Sequence, residues 1–327
     1  MQEYPTLSVQ DAFIVASGLT QSTNTVPATW EIRGNFGPQE IMRSVQLIVD
    51  AHESLRTKIA QKGKNGRFVQ LVSSGGGVGE FIRLVNLERE RHQGRAMSGL
   101  MNRLLAHKFD LTAPPLWRAF LARMGKGHHV LGIAFAHVIV DGYSVNVFSQ
   151  DLARTLDTQQ PFHPLQLGEV AQREQDVEPT NKQVSYWRDQ YGKRTPLEAR
   201  WDGTAQYRVE PIPVLPPRLA TGVRELAKGI GASPSTVFGA VAAIASAIVL
   251  RKPFPMLGFA TAQRGQANQS IFGPLHDHLP VLGGAPANVS FVDFVSGLSE
   301  RRQRSRDNRL PTRILGSIAE YTPYDIA

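Results

Sequence analysis

The chain has 327 residues, a formal net charge of +8, 42% apolar and 20% charged residues, and no cysteine. That length allows one large domain or two modest ones with ample core, and the composition excludes a disordered chain. Without cysteine there is no disulfide, no thiolate nucleophile and no cysteine-ligated metal, which fits a reducing cytoplasm. Met1-Gln-Glu-Tyr-Pro5 lacks the basic and apolar regions of a secretory signal. The longest apolar stretch, residues 237–250, is too short to cross a membrane and carries Gly239 and Ser246. A cytoplasmic protein with no membrane partner is expected. The positive charge favours anionic partners. Nucleic acid is not expected among them, because the basic residues are scattered and no aromatic-basic recognition motif occurs. The densest cluster, Arg301-Arg302-Gln-Arg304-Ser-Arg306-Asp-Asn-Arg309, reads as a solvated helix end.

In chain order, Ser8-Val-Gln-Asp11 reads as a capping box opening a short helix through Val15. Residues 29–33 alternate like an exposed-edge strand. Pro38 opens a helix with Ile41, Val45, Ile48 and Val49 on one face, running into His52-Glu-Ser-Leu-Arg56-Thr57. Residues 67–72 and 81–85 read as strands flanking Ser73-Ser-Gly-Gly-Gly-Val-Gly79. That glycine cluster fits neither a dinucleotide fingerprint nor a Walker pattern, so a hairpin loop is expected. Met97, Leu100, Met101, Leu104 and Leu105 mark an amphipathic helix. Phe109-Asp-Leu-Thr-Ala-Pro-Pro-Leu-Trp-Arg118-Ala119 then leads into a strand. His128 and His129 sit in the turn after it, and as neighbours on a strand they would point to opposite sides, which argues against a metal pair.

Residues 129–136 form a nearly unbroken apolar run, the pattern of a strand buried on both faces. It ends at His137, and Asp141-Gly142 follows. Beyond Gly142, Val145, Phe148, Leu152 and Leu156 fall at helical spacing. An imidazole therefore stands where a buried strand emerges, and a carboxylate stands at a turn into a helix. Gly142 can take a backbone angle that other residues avoid, or let a substrate approach the main chain. By itself the pattern has two readings. His137 is either a catalytic base or a core histidine satisfied by a backbone carbonyl, with Asp141 as a helix N-cap. No Gly-x-Ser-x-Gly surrounds Ser144, so it is not expected to be a covalent nucleophile.

Residues 157–180 lose periodicity and gain Pro, Gln and Glu, as a linker between two halves would. Tyr186-Trp187 lies on the next helix. Pro211-x-Pro213 and Pro216-Pro217 mark a break before a helix carrying Leu219, Val223, Leu226 and Ile230, stopped by Gly231. Ser233-Pro234 starts a helix that is apolar nearly all round, hence expected to be central. Residues 254–260 read as a buried strand, continuing into Gly258-Phe-Ala-Thr-Ala-Gln-Arg264-Gly265 and then Ile271-Phe-Gly-Pro-Leu-His276-Asp-His278-Leu-Pro280. His276 and His278 could share one strand face and bind a metal, but no third ligand is apparent and none is expected.

His137-x-x-x-Asp141-Gly142 resembles the active-site signature of the chloramphenicol-acetyltransferase-like acyltransferases, which include the condensation domains of non-ribosomal peptide synthetases. Further matches follow in the right order: the opening around Ser8, His52 to Thr57, the Phe109 to Ala119 segment, Tyr186-Trp187, the Gly-rich strand end with Arg264, and the latch around Pro280. The plant-type Asp-Phe-Gly-Trp-Gly motif is absent, and the histidine motif lies mid-chain as in condensation-like proteins. Three departures stand out. Ala136 replaces the first of two histidines common in peptide-forming domains, His276-Asp-His278 replaces the Asn-centred latch, and the chain stops well short of the family's usual second lobe.

The resemblance implies an α/β fold of two acetyltransferase-like lobes, each a mixed sheet with helices, with the active site in the channel between them. The lobes would span residues 1–165 and 180–327, the second shorter than usual, as a reduced version or a piece of a longer chain. It implies that His137 is the general base and that Asp141 and Arg264 pair across the lobes to hold the site; backbone N–H groups near Gly142 are the expected oxyanion donors, a reading that no sequence motif places. His52 would be scaffold. The implied reaction is that of a stand-alone condensation-like acyltransferase in natural-product, antibiotic or lipid biosynthesis. It would move an acyl group to a small-molecule amine or hydroxyl from a thioester on a carrier protein's phosphopantetheine or on coenzyme A, with no bound cofactor and no metal. The rival is a catalytically silent lobe pair that docks a partner. The intact His137, Asp141, Gly142 and Arg264 argue against that rival, and the short second lobe argues for it.

Overall fold

A computed structural model describes residues 1–20, 22, 24–63, 66–194, 215–249, 251, 253–284 and 288–319. Their contacts divide the chain into two units, residues 1–177 with 262–276, and residues 178–261 with 277–327.

The first unit is built from β1 (Gln2–Pro5), α1 (Ser8–Ser17), β2 (Thr25–Arg33), α2 (Pro38–Ala51), β3 (Thr57–Gln61), β4 (Phe68–Val72), β5 (Ile82–Asn86), α3 (Gln93–Leu105), β6 (Trp117–Gly125), β7 (His128–Ala136), α4 (Gly142–Thr158) and α5 (Leu167–Gln175). A four-stranded sheet runs β2-β7-β6-β5, and a three-stranded sheet runs β1-β4-β3. All neighbours are antiparallel except β5 and β6, which are parallel. The apolar run of β7 has a simple cause: both faces of the four-stranded sheet are covered. On one face Trp117, Ala119, Leu121, Leu131, Ile133 and Phe135 share a core with Ile41, Val45 and Ile48 of α2 and Phe148 and Leu152 of α4. On the other, Phe120 and Ala122 of β6 pack against Leu100, Met97 and Met101 of α3. Gly132 is placed in the strand by contact, because a Cβ there would lie 2.3 Å from the Phe120 ring.

Several local expectations change. Leu7, not Ser8, precedes the first helix, and its N–H donates to Gln10 Oε1 at 2.9 Å. Ser8 instead donates through both its N–H and its hydroxyl to Glu174 Oε1, each at 2.7 Å. The glycine cluster at 73–79 is not a hairpin, since β4 and β5 belong to different sheets. It is a crossover tied down by Gln46, which donates to Gly76 O and accepts from Val78 N–H. His128 and His129 begin β7 and are not in the turn before it. The stretch 157–180 is not a bare linker either. Within it α5 forms and buries Leu167 and Ala171 against Leu7, Val9, Ile271 and Leu275. Its few apolar residues all lie on one short face, too few to register as periodicity.

The second unit contains α6 (Asn181–Lys193), α7 (Pro217–Gly229), α8 (Pro234–Val249), α9 (Phe291–Asp307), α10 (Thr312–Ala319) and the paired strands β8 (Met256–Ala262) and β9 (His276–Leu282), except that Ala262 and His276 at the strand ends belong to the first unit. Val237, Ala240 and Ala243 of α8 pack against Phe259, Phe294, Val295 and Leu298. The opposite face of α8 is not covered: Phe238, Val241, Ile248 and Val249 are exposed. Apolar composition all round the helix therefore does not make it central here. Trp187 of α6 is fully buried and its indole N–H donates to Asn308 O at 2.7 Å. The arginine cluster is only partly a solvated helix end. Arg301 reaches back to Leu282 O and Gly284 O, and Arg302 donates to Ser233 and Thr236 hydroxyls with its guanidinium 4.6 Å from the Phe259 ring. Pro211 and Pro213, expected at a chain break, lie outside the described residues. No single described helix is long and apolar enough to cross a membrane.

Candidate active site

The site is assembled at the end of β7. His137 N–H closes the strand on Asn24 O at 2.8 Å, and residues His137–Ile139 then turn through a short 3-10 segment. Val140 is extended, and its carbonyl lies 2.9 Å from His137 Nδ1. A carbonyl oxygen only accepts, so Nδ1 carries the proton and Nε2 of the neutral ring keeps its lone pair. Beneath the turn, fully buried Gln10 donates to Val138 O at 2.9 Å and to Gln70 Oε1 at 3.0 Å. Phe13, one turn along α1, lays its ring 4.4 Å from that of His137.

Asp141 is the N-cap of α4, accepting from Ser144 N–H at 2.7 Å. It is also the ion-pair partner of Arg264, but both residues fall within the first unit, so the pair is not the one across the lobes that the sequence resemblance implies. Arg264 Nη2 bridges both carboxylate oxygens at 3.0 and 3.1 Å, with both side chains almost wholly buried. The contact is not the two-nitrogen fork expected of an arginine. Nη1 is used at home, donating to Ile271 O at 2.7 Å and bracing the segment that carries Arg264. That segment, residues 262–276, comes from the second half of the sequence but folds with the first unit. Leu275 N–H donates to Asp141 Oδ2 at 3.0 Å. Ser144 Oγ donates to Asp141 Oδ1 at 2.7 Å, accepts from Gly273 N–H at 3.0 Å and is fully buried, which leaves it a brace and not a nucleophile. Arg264 also stacks 4.6 Å from the Tyr143 ring.

Gly142 opens α4 with no positive φ, so the turn does not use its conformational freedom. Nothing lies within 4 Å of where a Cβ would stand, which leaves open space beside the main chain. His52 is scaffold in geometry: fully buried, with Nε2 2.8 Å from Asp151 Oδ2. His276 opens β9 and turns its ring towards His137, with centroids 5.4 Å apart. His278 is exposed, and no group of three or more His, Cys, Asp or Glu that could hold a metal occurs among the described residues. Sequence reasoning named His137, Asp141, Gly142 and Arg264. It did not find Gln10 and Phe13 as parts of the site, although a glutamine on the apolar side of a short helix is the kind of signal that marks a buried polar brace.

The condensation-domain family profile matches residues 1–317, nearly the whole chain. The chain belongs to the condensation-domain family. Among curated relatives of this condensation domain, cyclosporin synthetase of Tolypocladium inflatum is 28% identical over 199 residues, which is 57% of this chain and 1% of that protein. The beauvericin nonribosomal cyclodepsipeptide synthetase of Beauveria bassiana is 26% identical over 190 residues, 54% of this chain and 6% of that protein. The chain thus spans a small fraction of the curated relatives it matches. Among solved structures, the SgcC5 protein of Streptomyces globisporus aligns with a TM-score of 0.79 at 17% identity, covering 98% of this chain and 77% of that one. The first condensation domain of the calcium-dependent antibiotic synthetase aligns with a TM-score of 0.75 at 19% identity, covering 97% and 77%. The fold is accordingly the two-lobed acetyltransferase-like fold of condensation domains, with both α/β units represented.

Proposed function

We propose that this condensation domain transfers an acyl group from a thioester to an amine or hydroxyl acceptor, with His137 as the general base. The observation that carries the reading is that His137 is partly exposed between buried Ala136 and Val138, while its Nδ1–H is held by Val140 O, so Nε2 of the neutral ring can accept a proton. Asp141 and Arg264 act by position: they hold the turn after His137 and touch no reacting atom. The first N–H groups of α4, beside the open space at Gly142, are suited to a developing oxyanion. The acyl donor is a phosphopantetheine thioester on a carrier protein or an acyl-coenzyme A, both at home in the cytoplasm. The chain's charge of +8 favours the acidic surface of a carrier.

An octanoyl thioester offered with a panel of amines and alcohols, read by product mass, tests the reaction. His137→Ala should keep the wild-type melting curve and lose about a hundredfold to ten-thousandfold in single-turnover rate. Undiminished turnover would remove His137 as the base, and a protein inert towards every donor and acceptor would favour the silent docking domain. Offering the same acyl group on a carrier and on coenzyme A addresses the donor. A carrier advantage at low salt should fade as added salt shortens the screening length, about 8 Å at physiological ionic strength.

A further inference from the structure

His276 stands in the site without a part in the chemistry above. Its ring is 5.4 Å from that of His137 and 5.6 Å from that of Phe13, and Phe13 is itself 4.4 Å from His137. The approach is fixed by the same carboxylate that fixes His137. Asp141 caps the helix that follows the His137 turn, and its other oxygen holds Leu275 N–H, one residue before His276. Gly273, just upstream, is clamped by Ser144 and by Arg264, which donates to Gly273 O at 2.9 Å. Leu275 O accepts from Gln263 N–H at 2.6 Å. Two imidazoles are therefore presented side by side by backbone that has little freedom. Asp141 and Arg264 are paired with each other.

We propose that His276 is a second catalytic residue, the proton donor to the departing thiolate. This rests on the acyl-transfer reading above. The acceptor's lone pair forms the bond to the carbonyl carbon while His137 Nε2 takes the acceptor's proton. The C–S bond breaks with its electron pair going to sulfur, and protonated His276 supplies the proton that makes the free thiol. His137 then returns the proton it took to neutral His276, so the pair carries one proton beyond its two neutral rings before and after the cycle, and thioester plus acceptor give acyl product plus thiol. Ala136, where a histidine commonly stands beside the base, is fully buried within β7 and could not serve this purpose.

The test varies the leaving group. An alkyl thiolate benefits from a proton as it departs, whereas an arenethiolate is a weak enough base to leave without one. The probes are octanoyl N-acetylcysteamine thioester and octanoyl thiophenyl ester, with the acceptor giving the highest wild-type yield in the panel. In His276→Gln the ratio of alkyl to aryl single-turnover rate should fall about a hundredfold relative to wild type, the scale of one acid catalyst. His276→Val should do the same. Because the ratio is taken within one protein sample, partial misfolding of a variant cancels. An unchanged ratio overturns the proposal for His276 while leaving the acyl-transfer reading intact. If His137→Ala transfers normally from both donors, or wild type transfers from neither, the acyl-transfer reading fails and this assignment falls with it.

Discussion

Among the described residues, Asp141 of the first unit and Asp277 of the second are both buried near an arginine, and the two are held differently. In the first, Asp141 receives Arg264 Nη2 on both oxygens together with Ser144 N–H, Ser144 Oγ–H and Leu275 N–H. In the second, Asp277 accepts from Thr312 Oγ1 at 2.9 Å and from its neighbour His278 N–H at 2.8 Å, while Arg309 stands off at 3.8 Å. Burial pushes the Asp277 carboxyl above the ordinary carboxylate range, and Arg309 and the hydrogen bonds pull only part of the way back. Burial is thus common to both residues and decides neither role. Arg264 stands 3.0 Å from Asp141 and Arg309 3.8 Å from Asp277, and it is at Asp277 that burial wins over the arginine.

The widest gap between the two should be seen by removing charge partners. Asp141→Ala and Arg264→Ala should each cost about 3–5 kcal/mol, because each leaves a buried charge without its opposite charge. Since both lose the same contact, the double variant should be less destabilised than the sum of the singles in a denaturation cycle. Strict additivity would break the pairing. Ser144→Ala should follow with about 1–3 kcal/mol, since Gly273 N–H and Asp141 both lose a buried partner. A loss within measurement error would show the brace to be dispensable. Asp277 should give the smallest effect and the opposite tendency. Asp277→Asn keeps an acceptor for Thr312 and removes a charge that burial disfavours, so its melting temperature at neutral pH should equal or exceed the wild-type value.

The pH dependence sharpens the contrast. Folded Asp277 holds its proton to higher pH than the unfolded chain does, so between those two pKa values the folded state binds more protons. Its contribution is therefore full below the unfolded value and is lost as pH rises through the folded one. Melting curves recorded upward from acid should show wild type losing ground relative to Asp277→Asn across that window. Parallel curves would mean that Asp277 is ionised in the fold as easily as in the unfolded chain.

Much of the first unit could be read locally. The run that became β7 and the spacing of Val145, Phe148 and Leu152 on α4 reflect burial along a single element, which leaves its period in the sequence. The identities of His137, Asp141 and Arg264 came with motifs quoted from the chain. Less could be read where one element's fate depends on another. The crossover at 73–79 looked like a hairpin because turn residues report a bend, not the sheet that the chain joins next. The apolar α8 looked central because composition tells how much surface wants cover, not which face receives it. Arg301 and Arg302 looked solvated until their guanidinium groups were seen on carbonyls, hydroxyls and aromatic rings.

By itself the sequence determined which segments could be strands and helices, which family they make together, and which imidazole stands at the end of the buried strand. Those are properties of neighbours along the chain, fixed by backbone geometry and side-chain period. The tertiary structure alone decided that Gln10 braces the turn at Val138 O, that Phe13 lies against the His137 ring, and that His276 stands beside it. Those contacts join α1, the end of β7 and the start of β9, segments far apart in sequence. Loop closure brings them together at an entropic cost that only cooperative packing offsets, so no local pattern records it.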